Sequence, residues 1–143
     1  MSNVKTILKT KGDDAFTVTP GTIVYDAIEL MYNKKVSSAL VLEDGKLIGI
    51  FTEKDYVPKL ILKGKALKET MIGEVMTEDL ITVSPDASIQ QCMQVMTNHF
   101  LRHLPVMEKE KLIGIVSIGD VVKYLIKEQE FVIENLEHYI TGS

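Results

Sequence analysis

Cysteine is nearly missing from this chain. Cys92 is the one thiol in 143 residues, so no disulfide can form within it, which points to a reducing compartment. Positive charge is in deficit: 16 Lys and Arg stand against 20 Asp and Glu, a formal net charge of −4. That disfavours nucleic-acid binding by charge alone, and the lysines from Lys59 to Lys68 read as a solvated face or link. No apolar run approaches the ~18 residues of a membrane span. The opening MSNVKTILKTKG has too brief an apolar patch for the core of a secretion signal. P-loop, HExxH, GxSxG and Cys/His metal spacings are all absent. His99, His103, Asp120 and Cys92 are the tempting nucleophiles or bases, and they suggest no oriented nucleophile–base pair. Cys92 falls on an apolar helix face, where burial outweighs reactivity. These absences predict a cytoplasmic, non-catalytic protein with no catalytic cofactor, no metal site and neither membrane nor nucleic acid as partner.

The chain is written twice. Thr17 and Thr82, Pro20 and Pro85, Gly49 and Gly114, and Asp55 and Asp120 are each 65 positions apart, with no gap between these markers. Residues 17–55 and 82–120 share 13 identities in 39 positions, which makes duplication the first organising fact. Within each copy, FTV or ITV reads as a short strand ended by Pro20 or Pro85. Val24, Ala27, Ile28 and Met31, and again Ile89, Cys92, Met93 and Met96, mark one face of a helix. Ser88 and Gln91 make a capping box at the second of these helices. SALVL with KLIGIFT, and LPVM with KLIGIVS, read as strand pairs. Asp44–Gly45 is a strong hairpin signal, whereas Lys109–Glu110 predicts a different turn in the second copy. Thr52-x-x-Asp55 and Ser117-x-x-Asp120 each open a further helix.

The expected architecture is α+β: two tandem β-α-β-β-α motifs packed through their sheets with pseudo-two-fold symmetry, preceded by the short helical lead-ins VKTIL and IGEVM. Boundaries follow at 1–61 for the first motif, 62–70 for a basic exposed link, 71–126 for the second and 127–143 for a helical extension. From Val121 to Ile140 the pattern is one long helix, with an interrupted stripe of Val121, Leu125, Val132, Leu136, Tyr139 and Ile140. Only part of that stripe can lie on so small a body. The remainder suits a second copy of the chain, hence a homodimer.

The ordered set TVTP, ALV, GIFTEKD and then TVSP, LPV, GIVSIGD resembles the CBS-domain pair, the regulatory module named after cystathionine β-synthase, over nearly the whole chain. The resemblance implies a sensor that binds an adenosine nucleotide in clefts between the halves, AMP foremost, with ADP, ATP, NAD(H) or S-adenosylmethionine as alternatives. Two such modules commonly stack as a disc-shaped homodimer. Asp120 and Asp55 match the family's ribose-binding acid, and an ionised carboxylate can accept both ribose hydroxyl protons. Ser117 and Thr52, three residues earlier, would offer a hydroxyl and a helix N-terminus to phosphate. The same S/T-x-x-D is also a plain helix cap; its repetition at matching places favours binding. Arg102 offers a planar fork for phosphate oxygens, with His103 beside it as donor or stacking face, and the two are expected to act with Ser117 and Asp120.

At the matching places the first copy has Ser37 and Ser38 and lacks a cation, so Lys54 is its partial substitute and a weaker first cleft is expected. Leu40 stands where the second copy has Pro105, which predicts a different cleft shape. Phe16 and Ile81 match adenine-lining positions, with core packing nearly as good a reading. Thr6 matches a position that closes the opposite half's cleft. Lys9 and Lys11 could reach phosphate or, with Gly12, cap the lead-in helix. Ligand binding would bridge the halves and shift their angle, for a regulated protein to read. The competing reading is a dimerisation or protein-interaction module whose clefts are vestigial.

Overall fold

The computed structural model describes residues 3–11 and 15–141; Gly12, and with it the expected cap, lies outside them. Strand β1 (Thr17–Val18) runs parallel to β2 (Ser38–Glu43), which returns antiparallel as β3 (Lys46–Thr52). In the second repeat β4 (His103–Glu108) pairs antiparallel with β5 (Lys111–Ser117). ITV, expected as a strand, shrinks to one parallel bridge, Val83 to Val106. Pro105 supplies the reason. In the first repeat the Leu40 N–H donates to the Phe16 carbonyl at 2.9 Å; Pro105 occupies the matching place and has no N–H to give.

Both hairpins are built alike, contrary to the different turn expected for the second. Asp44 and Gly45 have φ of 52° and 79°, and Lys109 and Glu110 have 50° and 66°. Positive φ at both central residues is the type I′ geometry that suits strand twist. The second repeat adopts it with two side chains that tolerate it less well, because matching bulges and registers leave the loop no other length.

Helices α2 (Val24–Lys34) and α5 (Ile89–His99) lie at equivalent places. Their predicted faces are buried at Val24, Ala27, Met31, Ile89, Cys92 and Met96. Met93 turns outward, and Val95 packs on the core instead. The expected Ser88–Gln91 capping box is present, with reciprocal bonds of 3.0 and 2.8 Å. Burial compensates across the repeats: Ala39 pairs with Phe51, and Leu104 with Val116. Each pair fills its core with about the same total volume, the kind of exchange a packed interior tolerates.

The lead-in helices exchange places. Helix α1 (Val4–Lys11) precedes the first repeat but buries Val4 and Ile7 in the second repeat's core. Helix α4 (Ile72–Val75) precedes the second repeat but buries both its ends in the first. Free amides at the start of each find carbonyls on the opposite repeat. Val4 and Lys5 donate to Ala87 and Pro85 at 2.9 and 3.0 Å; Ile72 and Gly73 donate to Thr22 and Pro20 at 2.8 and 2.9 Å. These bonds satisfy donors that a helix start leaves unpaired. Gly49 and Gly114 make the docking possible, since a Cβ there would meet Met76 Sδ at 2.5 Å and Leu8 Cδ2 at 2.8 Å.

Helix α3 (Glu53–Asp55) is three residues long and widens at once into a π-helical segment, Tyr56–Ile61. Pro58 within it has no N–H for an ordinary helical bond. Its counterpart α6 (Ile118–Thr141) runs 24 residues, about 36 Å. Val121 is buried and Tyr124 and Leu125 pack on the core, but from Ile126 onwards α6 leaves the body. Among the described residues no helix is long and apolar enough to cross a membrane.

Candidate functional site

Strands β3 and β5 meet between the halves, and the ends of β3 and β4 open onto a cleft of about 320 Å³. Its first-repeat wall is Ile50, Thr52, Glu53 and Lys54, its second-repeat wall Leu101, Arg102 and His103, and Thr77 comes from the segment after α4. Arg102 and His103 lie beside Ser117 in the β4–β5 pair, where His103 is in register with Ser117 and the Ile118 amide donates to the Arg102 carbonyl at 2.8 Å. Arg102 lies across from Thr52 and Lys54, so the cleft beside the first repeat's S/T-x-x-D turn is the one that receives the arginine. The physical reason is that the start of β4 faces the opposite half. Ser37 Oγ meets His103 Nε2 across the halves at 2.8 Å, and Lys54 Nζ donates to the Phe100 carbonyl.

Both S/T-x-x-D turns are reciprocal caps. Asp55 Oδ2 accepts from the Thr52 amide at 2.8 Å, and Asp120 Oδ2 accepts from the Ser117 amide at 2.8 Å. The other carboxylate oxygens differ. Asp55 Oδ1 is held by Lys59 Nζ at 2.9 Å and Thr77 Oγ1 at 3.0 Å, and the residue is 3% exposed. Asp120 Oδ2 also takes Lys11 Nζ at 2.7 Å, while no described residue bonds its Oδ1. Lys11 reaches on to the Ile115 carbonyl at 3.0 Å. Asp120 faces a second cavity, of about 500 Å³, with Ile7, Thr10 and Lys11 from α1 and Tyr124 from α6 on its wall.

Electrostatics follow from these contacts. Burial pushes the Asp120 carboxyl up, but the bonds from Lys11 and from Ser117, together with the Lys11 charge, hold it below its ordinary value. Burial pulls the His103 imidazole down, against the attraction of Glu53 and Asp120. Burial pushes the Cys92 thiol up, away from the reactive thiolate.

The remaining expected positions fall as follows. Ser117 is half-buried and its Oγ accepts from the Asp120 amide at 3.1 Å. Thr6 is exposed on α1, bonded to Asn3 Oδ1 at 3.3 Å, and lines neither cavity; Thr10 and Lys11, further along α1, line the second one. Phe16 and Ile81 are half-buried against the two cores. Pro105 is buried within β4. Thr77 and Lys59 were not singled out by sequence reasoning. Lys59 is four residues after Asp55, a spacing that could have flagged it, but Thr77 reaches its place only through the exchange of α4.

Two mixed repeats and exchanged lead-in helices define a tandem α+β module whose halves interlock. The CBS domain family model matches residues 4–61 and 72–127, and the chain belongs to that family with two CBS domains. It is 37% identical to the mitochondrial CBS domain-containing protein CBSX3 of Arabidopsis thaliana, over 99% of this chain and 73% of that protein. The CBS domain-containing protein YhcV of Bacillus subtilis is 32% identical over 84% of this chain and 83% of its own length. A solved CBS-domain protein of Burkholderia ambifaria superposes with a TM-score of 0.86 at 44% identity, covering 90% of this chain and 96% of that one.

Proposed function

We propose that this chain is a non-catalytic regulatory module that binds an adenosine nucleotide between its halves and acts as a homodimer, with AMP the leading ligand and ATP or NAD(H) the alternatives. The observation that carries the reading is the composite cleft. Arg102 and Lys54 come from different repeats and flank one space with Thr52 and His103. A phosphate there is met by a fork and a point charge and ties one half to the other. Asp120, on the wall of the second cavity rather than of this cleft, supports a ribose contact there, since its Oδ2 stays in the cap while Oδ1 is open to hydroxyl donors. Asp55 supports one less well, because both of its oxygens are engaged. A nucleotide that bridges the halves changes their relative angle, and a regulated protein reads that change.

The engaged acids also favour a second reading, an interaction module with closed clefts. Thermal melts with AMP, ADP, ATP, NADH and S-adenosylmethionine separate the two. A ligand at a hundred times its Kd adds ~2.7 kcal/mol, a rise of roughly 5–10 °C for a chain of this size. Arg102→Ala and Asp120→Ala should each reduce that rise while leaving the fold intact. No rise with any ligand would leave the interaction module as the better account.

A further inference from the structure

Beyond Leu125, α6 carries apolar side chains that nothing in the chain covers. Ile126, Ile133, Leu136 and Ile140 are 53%, 52%, 55% and 80% exposed. Together with Val122 and Gln129 they fall at alternating spacings of four and three residues, the a/d seam of a coiled coil. Ile126, Ile133 and Ile140 take a; Val122, Gln129 and Leu136 take d. The two edges of the seam are unlike. Val132 and Tyr139 extend it on the g side, whereas Lys123, Glu130 and Glu137 line the e side.

We propose that α6 pairs with α6 of a second copy in an antiparallel coiled coil centred at Phe131. This rests on the homodimer of the proposed function and assigns its surface and direction. In an antiparallel pair like edges meet. The apolar g edges then bury one another, and each Lys123 meets Glu137 of the second copy, so the ends of the seam carry opposite charges. In a parallel pair each acidic e edge would lie against the apolar g edge of the other helix, leaving Val132 and Tyr139 uncovered. Residues at e and g set the orientation of a coiled coil; here the apolar g edge and the charge reversal along e decide for antiparallel. The interface is isologous and closes at two chains, so it does not propagate.

Crosslinking the full-length chain tests the direction. Ile126 at a faces Leu136 at d of the second copy under this register, so a mixture of Ile126→Cys and Leu136→Cys chains should form a disulfide-linked dimer on oxidation. Neither variant alone should do so. Cys92 is fully buried and adds no background. Self-crosslinking of each single variant would establish a parallel pair and overturn the proposal. Sedimentation equilibrium should give a dimer mass for the wild type and a monomer mass for Leu136→Asp. A wild-type monomer, or a dimer that survives Leu136→Asp, would also overturn it. Nucleotide melts on Leu136→Asp report separately on the clefts, so loss of the interface is distinguishable from loss of ligand binding.

Discussion

His103 joins the halves through Ser37 and pays for that place in basicity. Burial pulls its imidazole below the ordinary value of 6.5; Lys11 and Arg102 add to the shift, while Glu53 and Asp120 oppose it. The folded chain therefore favours the neutral ring, and the unfolded chain binds more protons as the pH falls below about 6.5. The stability His103 contributes is complete above that value and lost as the pH drops through the folded one. The Tm should accordingly fall between about pH 7 and pH 5. His103→Gln keeps a polar partner for Ser37 and does not titrate, so it should flatten that part of the profile. An unaltered slope would mean that the ring is not the titrating group. At this scale chemistry was legible in the sequence and address was not. Arg102 and Lys54 are phosphate candidates by their charge, and Asp120 is a ribose candidate through the family resemblance. That Lys11 holds one acid and Lys59 with Thr77 the other follows only from the folded chain.

Elements were legible wherever one local period decided them. The faces of α2 and α5, the Ser88 cap and the two hairpins follow from spacing, since burial repeats every turn or every second residue. Errors arose where a backbone atom outweighed the pattern. Pro105 withholds one N–H, and a β-branched ITV then makes a single bridge. The second hairpin takes a glycine-type turn without glycine, because its register leaves two residues for the loop. The exchange of α1 and α4 has no local sign, and it yields a definite expectation. Ile72 follows the link and belongs by sequence to the second repeat, yet it is fully buried in the first repeat's core. Ile72→Ala should cost about 2–5 kcal/mol. The amide chemical shifts should change chiefly in β2 and β3 rather than in β4 and β5. Shifts changed chiefly in the second sheet would contradict the exchanged packing.

As a whole, the molecule is two cores held by crossed helices and a polar seam. Each core is completed by a helix from beyond its own repeat, so neither half can keep its interior closed when the other opens. Thermal unfolding without ligand should be one cooperative transition, with calorimetric and van't Hoff enthalpies equal. Two resolved transitions in calorimetry would show instead that the halves are stable separately. The same interlocking suits the proposed sensor: a ligand that joins Arg102 to Lys54 would act on two cores already linked by exchanged helices.

By itself the sequence determined the duplication, the order of elements, the two caps, the hairpins and membership of the CBS domain family. The elements and caps depend on residue type and on spacings within about one element, and the duplication on a constant offset of 65 positions. Only the tertiary structure decided which residues share a cleft. Thr52 and Arg102 are fifty positions apart, and α1 reaches Asp120 from the other end of the chain. Such meetings are set by how two sheets and two exchanged helices dock, and no local period encodes that. The physical reason is the fold's near symmetry. Two equivalent turns present nearly the same motif to their own repeat, and the sequence cannot tell which half stands opposite until both cores have closed.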